Sequence, residues 1–268
     1  MLQIVVMTQR AGVVMLRSRV DNSVFLRAPS AQAPTSAKPR VLERENPTPD
    51  LMLLRVSRPA GLSFAPGQHV RLGVGGVSHS YSIASAPEDP FLEFFIELVP
   101  GGRLTPRLWQ LRAGDAVDVG TRAKGDLLLD PRADHHFMVA TVTGIAPFMS
   151  ILRHEARHHV TGRRFYVLHG ASYADELVYR DELEALAARL AFVSYAPAVS
   201  RPGEPRNAGW AGEIGRLPSI AVRHAELFEL ESGKPHVYAC GHPAMVAAIH
   251  AQLESPSVPV TTEAYWNA

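Results

Sequence analysis

The chain has 268 residues, 46% hydrophobic and 20% charged, which is enough for one large or two ordinary domains with well-filled cores. Its 27 basic and 26 acidic residues leave a formal net charge of +1, so nucleic-acid binding through a strong general field is excluded. One cysteine, Cys240, excludes an internal disulfide and a four-cysteine zinc or iron–sulfur site; no metal site is expected, and a metal-borne electron carrier must be a separate molecule.

Residues 1–39 read as an N-terminal extension, poorly ordered or linker-like. The first 40 residues carry Arg10, Arg17, Arg19, Arg27, Lys38 and Arg40 against Asp21 alone and run through the Ala/Pro/Ser-rich "APSAQAPTSAK". Their apolar pieces are too short for a good secretory segment. No apolar run in the chain approaches the ~20 residues that span a bilayer, so membrane insertion is not expected and the cytoplasm is the default location.

From Arg40 to about Pro131 short β-runs alternate with turn signals: "RVLERE", "LMLLRVSRP", "HVRLGV", "HSYSIAS", "LEFFIELV", "DAVDVG" and "DLLLD". This spacing predicts a small antiparallel barrel or sandwich over residues 40–133. It is interrupted by a helical turn in "LTPRLWQLR", where Leu104, Leu108 and Leu111 share a face. From residue 134 to 268 nearly all-apolar strands alternate with amphipathic helices, which predicts a parallel sheet covered on both faces. Ligands of such sheets sit at the strands' carboxyl ends, here Thr143-Gly144, His169-Gly170, Val199-Ser200 and Cys240-Gly241.

Several stretches carry chemistry. "SHSYSIASAP" puts an aromatic ring, four serines and an imidazole on one strand, which suits either a half-wet sheet or the grip on a flat polar ligand. "ATVTGIAPFMSILR" sets Thr143, Gly144 and Ala146 between strand and helix, where free N–H groups favour an anion; Pro147 fits the helix's first turn. The same small residues also suit plain close packing. Cys240 ends an apolar strand before Gly241, either as a buried small hydrophobe or as a sulfur at a cleft floor. The tail "TTEAYWNA" places Tyr265 and Trp266 together, and two adjacent rings need a surface to pack on.

Taken in order, "FAPGQHVRL", "HSYSIAS", "PGGRLTPRL", the "GDAVDVG" run, "TGIAP", "HGASYADELVY", "YACGHPAMV" and "EAYW" resemble the bacterial ferredoxin(flavodoxin)–NADP reductase family, from about Val41 to Trp266. The resemblance implies an antiparallel Greek-key FAD-binding barrel over 40–133 and a Rossmann-like NAD(P)-binding domain over 134–268. In the flavin motif His79, Ser80, Tyr81 and Ser82 would meet FAD, with Tyr81 against the ring and Ser82 near N5. Gly102, Arg103, Leu104 and Thr105 would hold the FAD pyrophosphate. Thr143, Gly144, Ala146, Pro147 and Gly241 would form the floor for the pyridine nucleotide, with Thr143 also touching FAD and Cys240 near the nicotinamide's reacting carbon. Glu263 and Tyr265 complete the catalytic set with Ser82 and Cys240; Tyr265 would stack on the flavin where nicotinamide enters, and Trp266 would cover the adenine.

Three departures from the family pattern stand out. His79 replaces arginine, losing a permanent charge in the flavin phosphate region. Val142 stands where a glycine often precedes the turn's threonine, which predicts a differently shaped turn. Around the adenosine 2′-phosphate, Ser172 and Glu213 stand at arginine positions, leaving Arg201 and Arg216 as phosphate partners; NADPH is the family's substrate, while these residues lean toward NADH or mixed use.

The resemblance implies an oxidoreductase of the ferredoxin–NADP reductase class, passing electrons between NADPH or NADH and a ferredoxin or flavodoxin through a transient electrostatic complex. Arg103, Arg107, Arg112, Arg122 and Lys124 would supply the basic landing surface, unless they are ordinary solvated charges. Other readings of the same scaffold are an oxygenase's reductase component, a free flavin or quinone reductase, or a non-catalytic regulatory flavoprotein subunit.

Overall fold

A computed structural model of the protein describes residues 38–158, 161–228 and 233–265, which belong to one compact unit beginning at Lys38. The expected extension over 1–39 lies outside the described residues except for Lys38 and Pro39, and Trp266 lies outside them altogether.

The antiparallel part is built from β1 (Val41–Thr48), β2 (Leu51–Ser57), β3 (His69–Val74), β4 (Val77–Ser82), β5 (Phe91–Glu97) and the two-residue β6 (Asp118–Val119). They form two three-stranded sheets, β1-β2-β5 and β4-β3-β6. Alternation along β2 and β3 turns Met52, Leu54, Val56, Val70 and Leu72 inward, where they meet Leu92, Phe94 and Ile96 in one core. The β3–β4 hairpin turns at Gly75 and Gly76, both at positive φ, as a two-residue connection of this type requires. Helix α1 (Thr105–Leu108) closes the core with Leu104, Leu108 and Leu111, the apolar face read from the sequence.

"DLLLD", expected as a strand, belongs to no sheet. Its Leu127 is buried, and the Leu127 carbonyl stands 2.1 Å from where a Cβ on residue 67 would be, so the segment packs on Gly67 instead of pairing.

The second part is a six-stranded parallel sheet in the order β10-β9-β8-β7-β11-β12. Its strands are β7 (His135–Thr141), β8 (Arg164–Ala171), β9 (Val193–Val199), β10 (Glu213–Ile214), β11 (Pro235–Gly241) and β12 (Val260–Ala264). Helices α2 (Ala146–His158) and α3 (Arg180–Arg189) cover one face through Phe148, Met149, Leu152, Leu183 and Leu186. Helices α4 (Leu217–Leu227) and α5 (Pro243–Leu253) cover the other through Ile220, Ala221, Met245 and Ile249. The chain runs outward from β7 to β10, then returns to β11 on the other side of β7. A cleft is expected where the strand order reverses, at the carboxyl ends of β7 and β11. Among the described residues no helix is long and apolar enough to cross a membrane.

The two parts share an ionic joint. Glu93 of β5, 1% exposed, binds Arg55 of β2 at 2.6 Å and Arg153 of α2 at 2.7 Å and accepts from the Tyr179 hydroxyl at 2.9 Å. Arg153 reaches on to Glu182 of α3 at 2.7 Å. Burial alone would raise the Glu93 carboxyl, but Arg153, Arg55 and Tyr179 together hold it below its ordinary range.

Candidate functional site

Two cavities, of about 590 and 600 Å³, share the lining residues Glu97, Thr143 and Tyr265. The first lies against β3, β4 and the α1 turn, the second over the carboxyl ends of the parallel strands.

Strand β4 brings His79, Ser80, Tyr81 and Ser82 to the first cavity, as read from the sequence. Tyr81 sits edge-on to Phe94, ring centroids 6.5 Å apart, and burial pushes its phenol up to about 12. Gly102, Arg103, Leu104 and Thr105 line the same cavity. A Cβ on residue 102 would stand 3.0 Å from the Val99 carbonyl, a tight approach that glycine leaves free. The Leu104 and Thr105 side chains are buried. The Thr105 hydroxyl donates to the Val99 carbonyl at 3.2 Å and accepts its N–H at 2.9 Å, fixing the turn itself.

The residues expected to form the catalytic set come together although Ser82 and Glu263 are 181 residues apart. Strand β12, which the sequence reading missed, pairs Glu263 with Cys240 and Ala264 with Gly241. That register carries Glu263 and Tyr265 onto the end of β4. Ser82 Oγ donates to Glu263 Oε1 at 3.0 Å and lies 2.9 Å from the Tyr265 hydroxyl. Since Ser82 gives its one proton to the carboxylate, Tyr265 donates to Ser82, and Cys240 is a further hydrogen-bond partner of Tyr265. Burial, then the Glu263 charge, pushes the Cys240 thiol well above its usual range; burial does the same to the Tyr265 phenol. Cys240 is fully buried, packs in the core against which Tyr265 lies and lines neither cavity.

The second cavity is lined by Thr141, Val142, Thr143, Ser172, Arg201, Arg216 and Gly241, among others. Ala146 lines the first cavity with Thr143, whereas Gly144 and Pro147 are buried under the turn. Gly144 is there for packing: a Cβ would meet the Cys240 carbonyl at 2.3 Å. Val142 has a φ of +42°, in the left-handed region that favours glycine. Glu213 faces α4 instead of the cavity, held by His224 at 2.9 Å and by Arg223, so its charge is already paired.

Among the residues of the first cavity that the sequence reading overlooked are Arg71 and His69. Arg71 of β3 stands opposite Ser80 and donates to the Ser78 carbonyl at 2.7 Å. His69, opposite Ser82, places Nδ1 3.7 Å from Glu263 Oε2. Both lie in "HVRLGV" on alternate positions, the face that the β3 period turns away from Val70 and Leu72; that alternation was the available signal.

Comparison with known proteins matches residues 138–251 to the oxidoreductase NAD-binding domain. The flavodoxin/ferredoxin–NADP reductase of Escherichia coli (strain K12) is 35% identical over 223 residues, 77% of this chain and 85% of that protein. The ferredoxin–NADP reductase of Pseudomonas aeruginosa is 31% identical over 238 residues, 81% and 88% of the two chains. A crystal structure of a ferredoxin NADP+ reductase from Neisseria gonorrhoeae with bound FAD and NADP is similar over 85% of this chain and 99% of that one, with TM-score 0.71 and 26% identity. The fold is thus that of a pyridine-nucleotide oxidoreductase. The chain belongs to the ferredoxin(flavodoxin)–NADP reductase family.

Proposed function

We propose that the protein is an FAD-dependent oxidoreductase that passes electrons between NADPH, or NADH, and a one-electron carrier of ferredoxin or flavodoxin type, with its FAD barrel over residues 40–133 and its nucleotide domain over 134–268. The observation that carries this reading is the junction of two cavities at Thr143 and Tyr265, with Ser82, Glu263 and Cys240 hydrogen-bonded around it.

The first cavity suits FAD: a Tyr81 ring for a flat ligand, hydroxyls at Ser80 and Ser82, a glycine cradle at Gly102 and the charges of Arg71 and Arg103 for a pyrophosphate. Bound FAD supplies the chemistry that turns a two-electron hydride into single electrons. Ser82 Oγ holds a proton at the cavity floor, and Glu263 is the base that takes or returns it. Arg71 supplies the permanent charge that His79 does not. Tyr265 covers the thiol of Cys240 and excludes water until nicotinamide displaces the ring, an exchange made easy because ring stacking is worth only ~0.5–1.5 kcal/mol.

For the nucleotide, Ser172, Arg201 and Arg216 support NADPH over NADH. The carboxylate that argued for NADH is paired with Arg223, hydrogen-bonded to His224 and turned from the cavity. Arg103, Arg107, Arg112, Arg122 and Lys124 are all exposed, which supports a transient electrostatic complex with an acidic carrier. The test is NADPH-driven reduction of a ferredoxin and a flavodoxin by the FAD-loaded protein across a salt series. Turnover that falls as salt rises is the expected result; turnover of neither carrier overturns the carrier reading, and salt-independent turnover removes the basic surface.

A further inference from the structure

His169 has no part in the chemistry above. It is fully buried near the carboxyl end of β8, in register with Ala140 of β7. Its Nε2 lies 3.0 Å from the Val142 carbonyl. A carbonyl only accepts, so Nε2 carries the proton and Nδ1 is an acceptor, 3.5 Å from the Tyr195 hydroxyl. Burial keeps the ring neutral, lowering its pKa to about 4 against the pull of the Val142 hydrogen bond, so this tautomer holds at neutral pH.

The residue it grips is unusual. Val142 is the one non-glycine residue with positive φ among the described residues. A β-branched side chain in that region is strained and persists only where its surroundings impose it. Packing fixes the chain on both sides. Before it, Thr141 Oγ1 accepts the His242 N–H at 2.8 Å and fills the space beside Gly241, where a Cβ would stand 2.1 Å away. After it, Gly144 is wedged on the Cys240 carbonyl. Between these anchors the peptide joining Val142 to Thr143 is set by the bond from His169, and Thr143 is one of the three residues that line both cavities.

We propose that His169 is a positioning residue for the pyridine nucleotide: its Nε2–H holds the Val142 carbonyl and thereby keeps a strained, non-glycine turn in the shape that seats the nucleotide over Thr143. The inference rests on the reading of the second cavity as the NAD(P) site. Its other source, simple filling of the core, predicts a different pattern of variants. Where glycine occupies position 142, positive φ costs nothing and the grip is dispensable; where valine occupies it, the grip is needed.

The experiment is a double-mutant cycle on the FAD-loaded, oxidised protein, with NADP+ affinity measured by calorimetry and FAD affinity measured separately. His169→Leu removes the donor while keeping an apolar side chain; His169→Met, flexible and likewise without a donor, runs in parallel so that one misfolded variant does not end the test. In the Val142 background, NADP+ binding is expected to weaken about tenfold, the scale of losing one buried hydrogen bond and its partner's satisfaction, with FAD affinity unchanged within about twofold. In the Val142→Gly background, whatever its own affinity, the added loss shrinks to within about threefold. The same loss in both backgrounds, a parallel loss of FAD, or no loss in either overturns the proposal. A wild-type protein that binds neither NADP+ nor NAD+ overturns the functional reading and this one with it, and that result is distinct because no variant is needed to obtain it.

Discussion

Moving the protein from pH 7 to pH 5 perturbs His136 and His169, two imidazoles fully buried on β7 and β8. Burial holds each at about 4, against an ordinary value of 6.5, with the Arg163 charge adding to the effect at His136. As pH falls through 6.5 the unfolded chain takes up a proton at each position, while the folded chain refuses it until about 4. Their contribution to stability is therefore full above pH 6.5 and is lost progressively between 6.5 and 4. Between pH 7 and pH 5 the loss is roughly 2 kcal/mol per histidine, roughly 4 kcal/mol for the pair, a large share of the ~5–15 kcal/mol that ordinary domains possess. The Glu93 carboxyl, held low by its arginine partners, loses its contribution only as pH falls through and below the ordinary carboxylate range. Urea unfolding followed by circular dichroism at pH 7, 6 and 5 measures the effect. Comparing wild type with His169→Leu cancels every other titration: the variant, whatever its stability at pH 7, is expected to lose roughly 2 kcal/mol less than wild type over this range. Equal losses in the two proteins would refute a neutral, buried His169.

Glu93→Gln leaves Arg55 and Arg153 facing a neutral amide in the joint between the two parts, and a loss of about 3–5 kcal/mol in urea unfolding at pH 7 is expected. A loss below about 1 kcal/mol would mean that the pair is dispensable. Arg71→Ala is expected to weaken FAD binding about tenfold, measured by quenching of flavin fluorescence, and His79→Arg to tighten it. Arg201→Ala with Arg216→Ala should lower kcat/KM for NADPH at least about tenfold while sparing NADH, whereas Glu213→Gln leaves the ratio of the two unchanged. Equal losses with both nucleotides would place the arginines elsewhere than at the 2′-phosphate.

Long periodic elements were legible in the sequence because burial writes itself as a period. The apolar runs at Phe137–Ala140 and Val237–Cys240 predicted covered parallel strands, and Leu104, Leu108 and Leu111 predicted the α1 face. Strand β12 was missed because it pairs along one edge only, and its Val260–Ala264 run is largely wet and polar, leaving only β-branched residues as a weak sign. "DLLLD" misled in the opposite sense, since the Leu127 side chain is buried in the core beside α2 while its backbone lies against Gly67 and pairs with no strand. Tyr81, Ser82, Gly102 and Arg103, which the resemblance pointed to from two local stretches, line one cavity. The surroundings of Glu213 were not legible, because its partners Arg223 and His224 lie one helix away and only the fold shows that its charge is spent. His69 and Arg71 escaped for a related reason: a cross-strand neighbour is set by register, which the β3–β4 turn fixes but the residues themselves do not spell out.

The most direct test of the account is anaerobic stopped-flow mixing of the FAD-loaded protein with NADPH and, separately, with NADH, recording the loss of the flavin's yellow absorbance. Rapid bleaching by NADPH, slower bleaching by NADH, and a marked slowing of both in Ser82→Ala are the predicted results. A flavin that neither nucleotide bleaches would contradict the proposed oxidoreductase activity.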